Sequence, residues 1–201
     1  DRMHKEVSGV TVDILRATSR AIPNRVLDEA VLLASNDSLE VQMEVLWVLS
    51  RGDDEDLVER AMVSMLESEF SEVRVRVLEH LLDYGRETVF EPTAQMVKSR
   101  STTGMTDREC QAAGKVLAAV DPDRALEELI HWIRPAGMFK RFVEMPGAQT
   151  LQRTAMYGLA DVPGKEVDKA IRWLSERCAE QVYKVCMKTL VHRRKEGLSR
   201  D

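Results

Sequence analysis

The sequence predicts an all-α protein of about 10 to 11 helices, and three observations predict it. Apolar residues recur at intervals of three and four residues along almost the whole chain, which is the spacing of an amphipathic helix. Turn-forming stretches such as AIPN, SNDS, RGDDED and YGRE separate these runs. No alternation of apolar and polar residues lasts beyond a few positions, so we expect essentially no β-strand.

Taken in order, the periodic runs and the turns between them set the helix boundaries. The DPD turn at 121–123 ends one helix and starts the next, because proline fits the first helical turn. Residues 134–148, RPAGMFKRFVEMPGA, are predicted to form an irregular insertion, and 1–37 to hold less regular helices. The predicted helices are 7–20, 24–35, 38–51, 55–68, 71–84, 88–99, 106–120, 123–135, 149–161, 164–177 and 179–194.

Four segments of the chain repeat one another when they are aligned. They are VQMEVLWVLSRG (41–52), VRVRVLEHLLDYG (73–85), ECQAAGKVLAAVD (109–121) and LQRTAMYGLADVP (151–163). One aligned column reads Val45, Val77, Ala113 and Ala155, and another reads Leu49, Leu81, Leu117 and Leu159. A turn and a second amphipathic helix follow each segment. A two-helix unit recurring every 30 to 45 residues predicts an α-solenoid, here one array over 1–201.

Within each repeat, positions 1, 5, 8, 9 and 12 lie on one side of a helical wheel and are predicted to be buried. They are mostly apolar, with His80 and Glu109 as exceptions, and they include Tyr84. We interpret His80 as a packing histidine. In the third repeat, Ala112, Ala113 and Gly114 predict a place where two helices approach closely.

This arrangement resembles the HEAT-repeat family, and specifically the short bacterial HEAT-like repeats that also occur in bilin lyases. The stretches EVRVRVLEHLLDYG and ECQAAGKVLAAVDPDRALEELIHWI match the family pattern V-R-x-x-A-x-x-x-L-x-x-[IV]-G-D-P followed by A-L-x-x-L. The resemblance covers about residues 38–178. It implies a solenoid of antiparallel helix pairs, a mainly scaffolding role, and V-R-x-x-A helices lining a concave side.

Charge is distributed unevenly along the chain. The net charge is −5, but residues 28–91 hold 17 acidic side chains against 5 Arg, a balance of −12, and residues 92–201 have a balance of +5. The acidic segment is interpreted either as a solvated face that keeps the array soluble or as a surface that orients a partner. Its DDED sequence at 53–56 predicts a helix start, where acidic groups favour the helix dipole.

The residue types give no sign of catalysis. The four histidines are scattered, no glycine-rich phosphate loop is present, and the three cysteines include no C-x-x-C pair. We therefore predict a non-enzymatic protein with no catalytic residues, no bound metal and no cofactor. No apolar run approaches the roughly 18 to 20 residues of a membrane span, and we expect a cytoplasmic protein. The chain starts at Asp1 rather than Met, so we expect it to be part of a longer protein.

Positions 3, 7 and 10 of each repeat point away from the predicted core, and several of them carry large side chains. From these positions we predict a partner-binding row, with Trp47 as its anchor, because exposed apolar side chains mark contact sites and aromatic residues favour interface centres. Burial of these side chains by neighbouring helices is the competing interpretation. The predicted row consists of Met43, Trp47, Val75, Glu79, Leu82, Lys115, Arg153 and Tyr157.

The sequence thus favours a scaffold or adaptor that binds a protein partner on the concave helix face. A regulatory or lyase-type module attached to an enzyme is one alternative. Binding of nucleic acid or an anionic surface through the basic C-terminal half, with FKRF (139–142) and HRRK (192–195), is another. The acidic first half disfavours nucleic acid, since phosphate binding needs positive charge. Solvation of a basic helix end is the simpler interpretation of HRRK.

Overall fold

The computed structural model describes residues 9–17, 23–134 and 147–199, and its contacts divide the chain into two compact units. The first unit covers 1–84 and the second covers 85–201, and each is described by itself. The helices of the first unit are α1 (9–17), α2 (Pro23–Leu33), α3 (Leu39–Leu49), α4 (Glu55–Met65) and α5 (Ser71–Tyr84).

The second unit begins with a short 3₁₀ turn, Glu87–Val89, that leads directly into its first α-helix. Its helices are α6 (Phe90–Arg100), α7 (Asp107–Val120), α8 (Pro122–Ile133), α9 (Ala148–Gly158), α10 (Lys165–Ser175) and α11 (Glu180–Lys195).

The all-α prediction is confirmed, since the part of the chain that the structure describes contains helices and turns but no strand. Each of the eleven predicted helices has a counterpart among the described residues, and for those after the first the ends differ by a few residues. The ends of the first predicted helix, and nearly all of the predicted insertion at 134–148, lie outside the described residues. None of the helices described is long and apolar enough to cross a bilayer.

Side chains that cap the helix starts explain why these boundaries could be read from the sequence. Thr106 accepts a hydrogen bond from the backbone N–H of Glu109, whose carboxylate accepts one from the backbone N–H of Thr106 at 2.8 Å. This reciprocal pair satisfies two N–H groups that the first turn leaves open. Asp121 caps α8 in a similar way, with Pro122 at the first helical position. The predicted DPD boundary is therefore confirmed.

The two aligned columns of the repeat are buried, as predicted. Every member is between 0% and 2% exposed: Val45, Val77, Ala113, Ala155, Leu49, Leu81, Leu117 and Leu159. Burial of an aliphatic side chain of this size contributes about 1.5–3 kcal/mol to folding. The repeat therefore identifies the side chains that form the core of each unit.

The close helix approach predicted from the small residues of α7 occurs between α7 and α9. A Cβ atom on Gly114 would lie 2.4 Å from the carbonyl oxygen of Thr154, and one on Gly158 would lie 2.7 Å from the carbonyl oxygen of Gly114. Both distances are shorter than a van der Waals contact, so the two backbones can meet only where both helices carry glycine. Ala113 beside this point is fully buried.

Within each unit, most successive helices pack on each other, and some alternate helices also touch. In the first unit α3 packs on α4 and also on α5. In the second unit α7 packs on α9 and α9 on α11, while α8 packs on α10. Each buried helix thus has neighbours on two sides, which accounts for the buried stripe on each repeat helix.

A buried polar network ties two turns of the first unit together. Gln42 is 4% exposed and donates to the carbonyl oxygen of Asn36 at 2.6 Å, while its own side-chain oxygen accepts from Ser68 at 2.6 Å. Arg74 is 5% exposed and donates to the carbonyl oxygen of Ser68 at 2.5 Å. These bonds satisfy polar groups that would otherwise be costly to bury.

The helical wheel misplaced two side chains of α5. Tyr84 was predicted to be buried but is 72% exposed, because it is the last residue of the helix. The centre of its ring lies 4.9 Å from the centre of the His80 ring. Val75 was placed outside the core stripe but is only 4% exposed. His80 is half-buried, and burial lowers its pKa, partly offset by Asp83. This supports its interpretation as a packing residue.

Candidate protein-binding surface

Four of the predicted partner-binding residues lie at the surface of α3 and α5 in the first unit. Met43 and Trp47 are on α3, and Glu79 and Leu82 are on α5, which packs on α3. All four side chains are half-buried. We refer to them as the α3–α5 surface. Val75, the fifth predicted residue of this unit, belongs to the buried part of α5 and is left out of it.

Two arginine side chains contact residues of the α3–α5 surface. The guanidinium carbon of Arg51 lies 4.1 Å from the centre of the Trp47 ring, a cation–π geometry. Arg76 donates to Glu79 at 3.1 Å across one helical turn. Arg51 was not among the predicted residues, although it follows Trp47 by four residues and this spacing places two side chains on one side of a helix.

The other three predicted residues lie in the second unit, and the structure joins two of them through Asp107. Arg153 donates to Asp107 Oδ1 at 2.9 Å and to the carbonyl oxygen of Met105 at 3.1 Å. The hydroxyl of Tyr157 donates to Asp107 Oδ2 at 3.1 Å. Lys115 is exposed on α7. We refer to Asp107, Lys115, Arg153 and Tyr157 as the α7–α9 surface.

Asp107 is a residue that sequence reasoning missed. It lies 46 residues before Arg153 and 50 before Tyr157. An aspartate in the first turn of a helix is favourable because of its charge alone, so its position in the sequence gives no sign of these two partners. No local pattern signals a pairing across such a separation. A carboxylate that holds both an arginine and a tyrosine fixes their orientation, so this part of the surface is ordered before any partner binds.

Burial, followed by the hydrogen bond to Asp107, raises the pKa of Tyr157 to about 12. We therefore expect Tyr157→Phe to remove the tyrosine ionisation that occurs near this pH, measured by absorbance at alkaline pH. Because the pKa of the folded state exceeds the unfolded value of about 10, this group stabilises the fold below pH 10 and loses that contribution as the pH rises toward 12. Asp107→Asn should lower the pKa of Tyr157, and an unchanged titration in either variant would contradict the contact.

The HRRK stretch, considered above as a basic patch, is largely committed to internal contacts. Arg193 is 0% exposed and donates to Asp168 at 2.6 Å, to the carbonyl oxygen of Leu159 at 2.8 Å and to that of Val162. Nε2 of His192 lies 2.7 Å from Asp161. Arg194 and Lys195 are exposed and lie in the last turn of α11, where positive charge is favourable next to the helix dipole. The FKRF stretch lies outside the described residues.

The DDED sequence starts a helix, as predicted. Asp54 accepts a hydrogen bond from the backbone N–H of Leu57 at 3.0 Å and so caps α4. Glu55 and Asp56 lie in the first turn of the same helix. Their charges are favourable next to the partial positive charge of a helix N-terminus. The local structure thus accounts for the acidic run.

The described cysteines are poor nucleophiles at neutral pH. Burial raises the pKa of all three thiols, to about 12 for Cys186, and the reactive form of cysteine is the thiolate.

Among the residues that the structure describes, no group of three or more histidine, cysteine, aspartate or glutamate side chains is arranged to hold a metal ion.

Comparison of the chain with models of known protein families, with functionally described proteins and with solved structures finds no match. The resemblance to HEAT repeats therefore depends on the repeated residues themselves, and a function has to be inferred from the surfaces just described.

Proposed function

We propose that the protein is a non-enzymatic scaffold or adaptor that binds a protein partner through the outward surfaces of its repeat helices. The observation that carries this proposal is the position of large apolar and aromatic side chains opposite the buried stripe. Met43, Trp47 and Leu82 remain half-buried after the first unit has folded, and Tyr157 does so in the second. Such side chains gain free energy when a partner removes the rest of their surface from water.

We further propose that the chain is a HEAT-like α-solenoid. Two observations support this architecture: all eight residues of the two aligned repeat columns are buried, and some alternate helices touch within each unit. In a solenoid each two-helix repeat packs on its neighbours, and the equivalent helices line one continuous side.

The chemistry of the two surfaces suits a folded helix or an extended peptide as the ligand. The α3–α5 surface offers an aromatic ring and two aliphatic side chains, and the α7–α9 surface offers Lys115 and the paired Arg153 and Asp107. On each surface, the apolar and aromatic side chains would supply binding energy. The charged side chains, Glu79 on the first surface and Asp107, Lys115 and Arg153 on the second, would set the orientation of a partner. A cytoplasmic location remains part of this proposal.

Nucleic-acid or anionic-surface binding through the C-terminal half is a weaker candidate. Its strongest basis was the HRRK stretch, of which Arg193 is buried and His192 faces Asp161. Fewer exposed cations mean fewer phosphate contacts and a smaller electrostatic gain. A regulatory or lyase-type role next to an enzyme stays an alternative prediction, and no contact of the described residues adds to it.

Trp47→Ala tests the proposed function. We expect capture of the partner from a native cell extract to be lost, and affinity for the partner, once identified by mass spectrometry, to fall by about 2 kcal/mol or roughly 30-fold. Helicity measured by circular dichroism should stay unchanged, because the half-buried ring lies outside the two core columns.

Tyr84→Ala is the matched control, since it removes an aromatic ring that is 72% exposed and lies outside the proposed surface. This variant should capture the partner as the wild type does. Collapse of the helical signal in Trp47→Ala would show that Trp47 is a core residue. Equal capture by Trp47→Ala and the wild type would disprove the α3–α5 surface as the binding site.

A further inference from the structure

The outer side of α11 carries an apolar stripe that the packing of the second unit does not use. Tyr183, Met187 and Val191 are 45%, 39% and 51% exposed. They are spaced by four residues, so they form one row that extends about 12 Å along the helix. The inner side of α11 is buried separately through Val182 and Cys186, among others. The helix is therefore apolar on two sides, of which only one contributes to the core.

Basic side chains flank this stripe. On a helical wheel, Lys184 and Lys188 fall on one side of the row and Arg194 falls on the other, while Lys195, four residues after Val191, extends the row at its C-terminal end. The one acidic side chain in α11 is Glu180 in the first turn, which forms an ion pair with Lys184 at 2.8 Å. The outer side of α11 therefore has a positive balance around an apolar centre.

A shallow open cavity of about 400 Å³ marks the C-terminal half of this surface. It is lined by Met187 and Val191 together with Lys188, His192 and Lys195. Its lining thus combines apolar and basic side chains, and it is large enough to receive an aliphatic side chain from a ligand. We refer to Tyr183, Met187, Val191 and the flanking basic residues as the α11 stripe.

We propose that the α11 stripe binds an acidic amphipathic helix of a protein partner. A row one side chain wide and about 12 Å long is complementary to the ridge of a helix, whose own apolar side chains recur every three to four residues. Aspartate or glutamate beside that ridge would lie close to the lysines of the stripe. Charge complementarity of this kind selects the partner and its orientation.

The apolar centre favours a protein ligand over a nucleic acid. A phosphate backbone would use the lysines but would gain nothing from covering Met187 and Val191. The proposal goes beyond the function proposed above, because it assigns a second interaction surface. It does not depend on Trp47, so failure of the α3–α5 surface would leave it unaffected.

The test uses the whole chain and two labelled synthetic peptides of about 18 residues, a length that allows a stable helix. One peptide has leucines at helical spacing flanked by glutamates, and the control peptide carries lysine in place of every glutamate. Binding is measured by fluorescence anisotropy at low and high salt. We expect saturable binding of the acidic peptide, weaker at high salt, and at least about tenfold weaker binding of the basic peptide.

Met187→Glu should reduce binding of the acidic peptide by about tenfold or more, because it removes an apolar contact and adds a repelling charge. Gln149→Glu is the matched control, since it adds one carboxylate at an exposed position of α9, and it should bind as the wild type does. Circular dichroism of each variant confirms that the helices are retained. Trp47→Ala should also bind the acidic peptide normally.

Several outcomes would overturn the proposal. Equal binding of both peptides, or full binding by Met187→Glu, would exclude the stripe as the site. Concentration-dependent self-association that Met187→Glu abolishes would show that a second copy of the chain occupies it. Tighter binding to anionic vesicles or duplex DNA than to the acidic peptide, lost in Lys188→Glu but kept in Met187→Glu, would assign the surface to an anionic ligand instead.

Discussion

Leu117→Asp is expected to unfold the second unit. Leu117 is fully buried on α7, three residues after Gly114, where α7 and α9 approach closely. A carboxylate at this position would have to be buried without a partner or protonated, and either costs several kcal/mol. The whole stability of a domain is about 5–15 kcal/mol, so one such change removes most of it. Leu81→Asp should act in the same way in the first unit.

Lys115→Asp provides the control, two residues earlier on the same helix. Lys115 is exposed, and a surface substitution of this kind is expected to change stability by no more than about 0.5 kcal/mol. Urea unfolding followed by circular dichroism distinguishes the two variants. Leu117→Asp should lose the helical signal of the second unit before urea is added, whereas Lys115→Asp should unfold like the wild type. Similar unfolding of both variants would contradict the register of the repeat.

Much of this fold could be predicted because its determinants are local. A helix of this kind is specified by apolar spacing within about four residues and by a cap such as Thr106 or Asp121 at its start. The buried columns were also predictable, since one repeated unit placed Leu49, Leu81, Leu117 and Leu159 in equivalent environments. The repeat supplied information about burial that a single helix would not have given.

The errors and omissions concern contacts between residues distant in sequence and side chains near helix ends. Tyr84 satisfied the periodic pattern but stands at the last position of α5, where burial no longer follows the wheel. Arg193 was interpreted as part of a solvated patch, and its buried role depends on Asp168 and on carbonyl groups 29 to 34 residues earlier. The link from Asp107 to Tyr157 spans 50 residues. Composition and periodicity carry no signal for such pairs.

The exposure of the candidate surface residues could be predicted only in part, for the same reason. Periodicity placed Met43, Trp47 and Leu82 outside the core columns, and all three are half-buried. It failed for Val75, which is 4% exposed, because burial at the margin of a stripe is decided by neighbouring elements and not by the helix alone. The Trp47→Ala experiment tests whether a partner covers the exposed parts.

Arg193→Met is expected to destabilise the second unit by about 3–5 kcal/mol, because it leaves a buried carboxylate without its partner. The Arg193 guanidinium bonds to Asp168 and to the carbonyl oxygens of Leu159, Val162 and Gly164, so it connects α11 to α10 and to the turn that precedes it. Methionine fills similar space but donates no hydrogen bond. Four acceptors would lose a donor at once, and each loss of this kind is unfavourable in a buried site.

The pH dependence of this variant separates the ion pair from simple loss of packing. Burial raises the pKa of Asp168, but hydrogen bonds from Ser199 and Arg193 outweigh it and hold the pKa below its usual range. In the wild type this stabilisation is therefore present above the unfolded value of about 3.9 and is lost as the pH falls through the lower folded value. In Arg193→Met the uncompensated carboxylate can be neutralised by protonation, so the stability difference from the wild type should shrink from about pH 7 to about pH 4.

Asp168→Asn combined with Arg193→Met completes the test. A neutral amide removes the buried charge, so the double variant should be more stable at pH 7 than Arg193→Met alone, and its unfolding free energy should depend less on pH over this range. Urea unfolding of the wild type, both single variants and the double variant gives the coupling energy of the pair. Additive effects of the two substitutions would show that Arg193 stabilises the second unit through the backbone carbonyls and its packing rather than through Asp168.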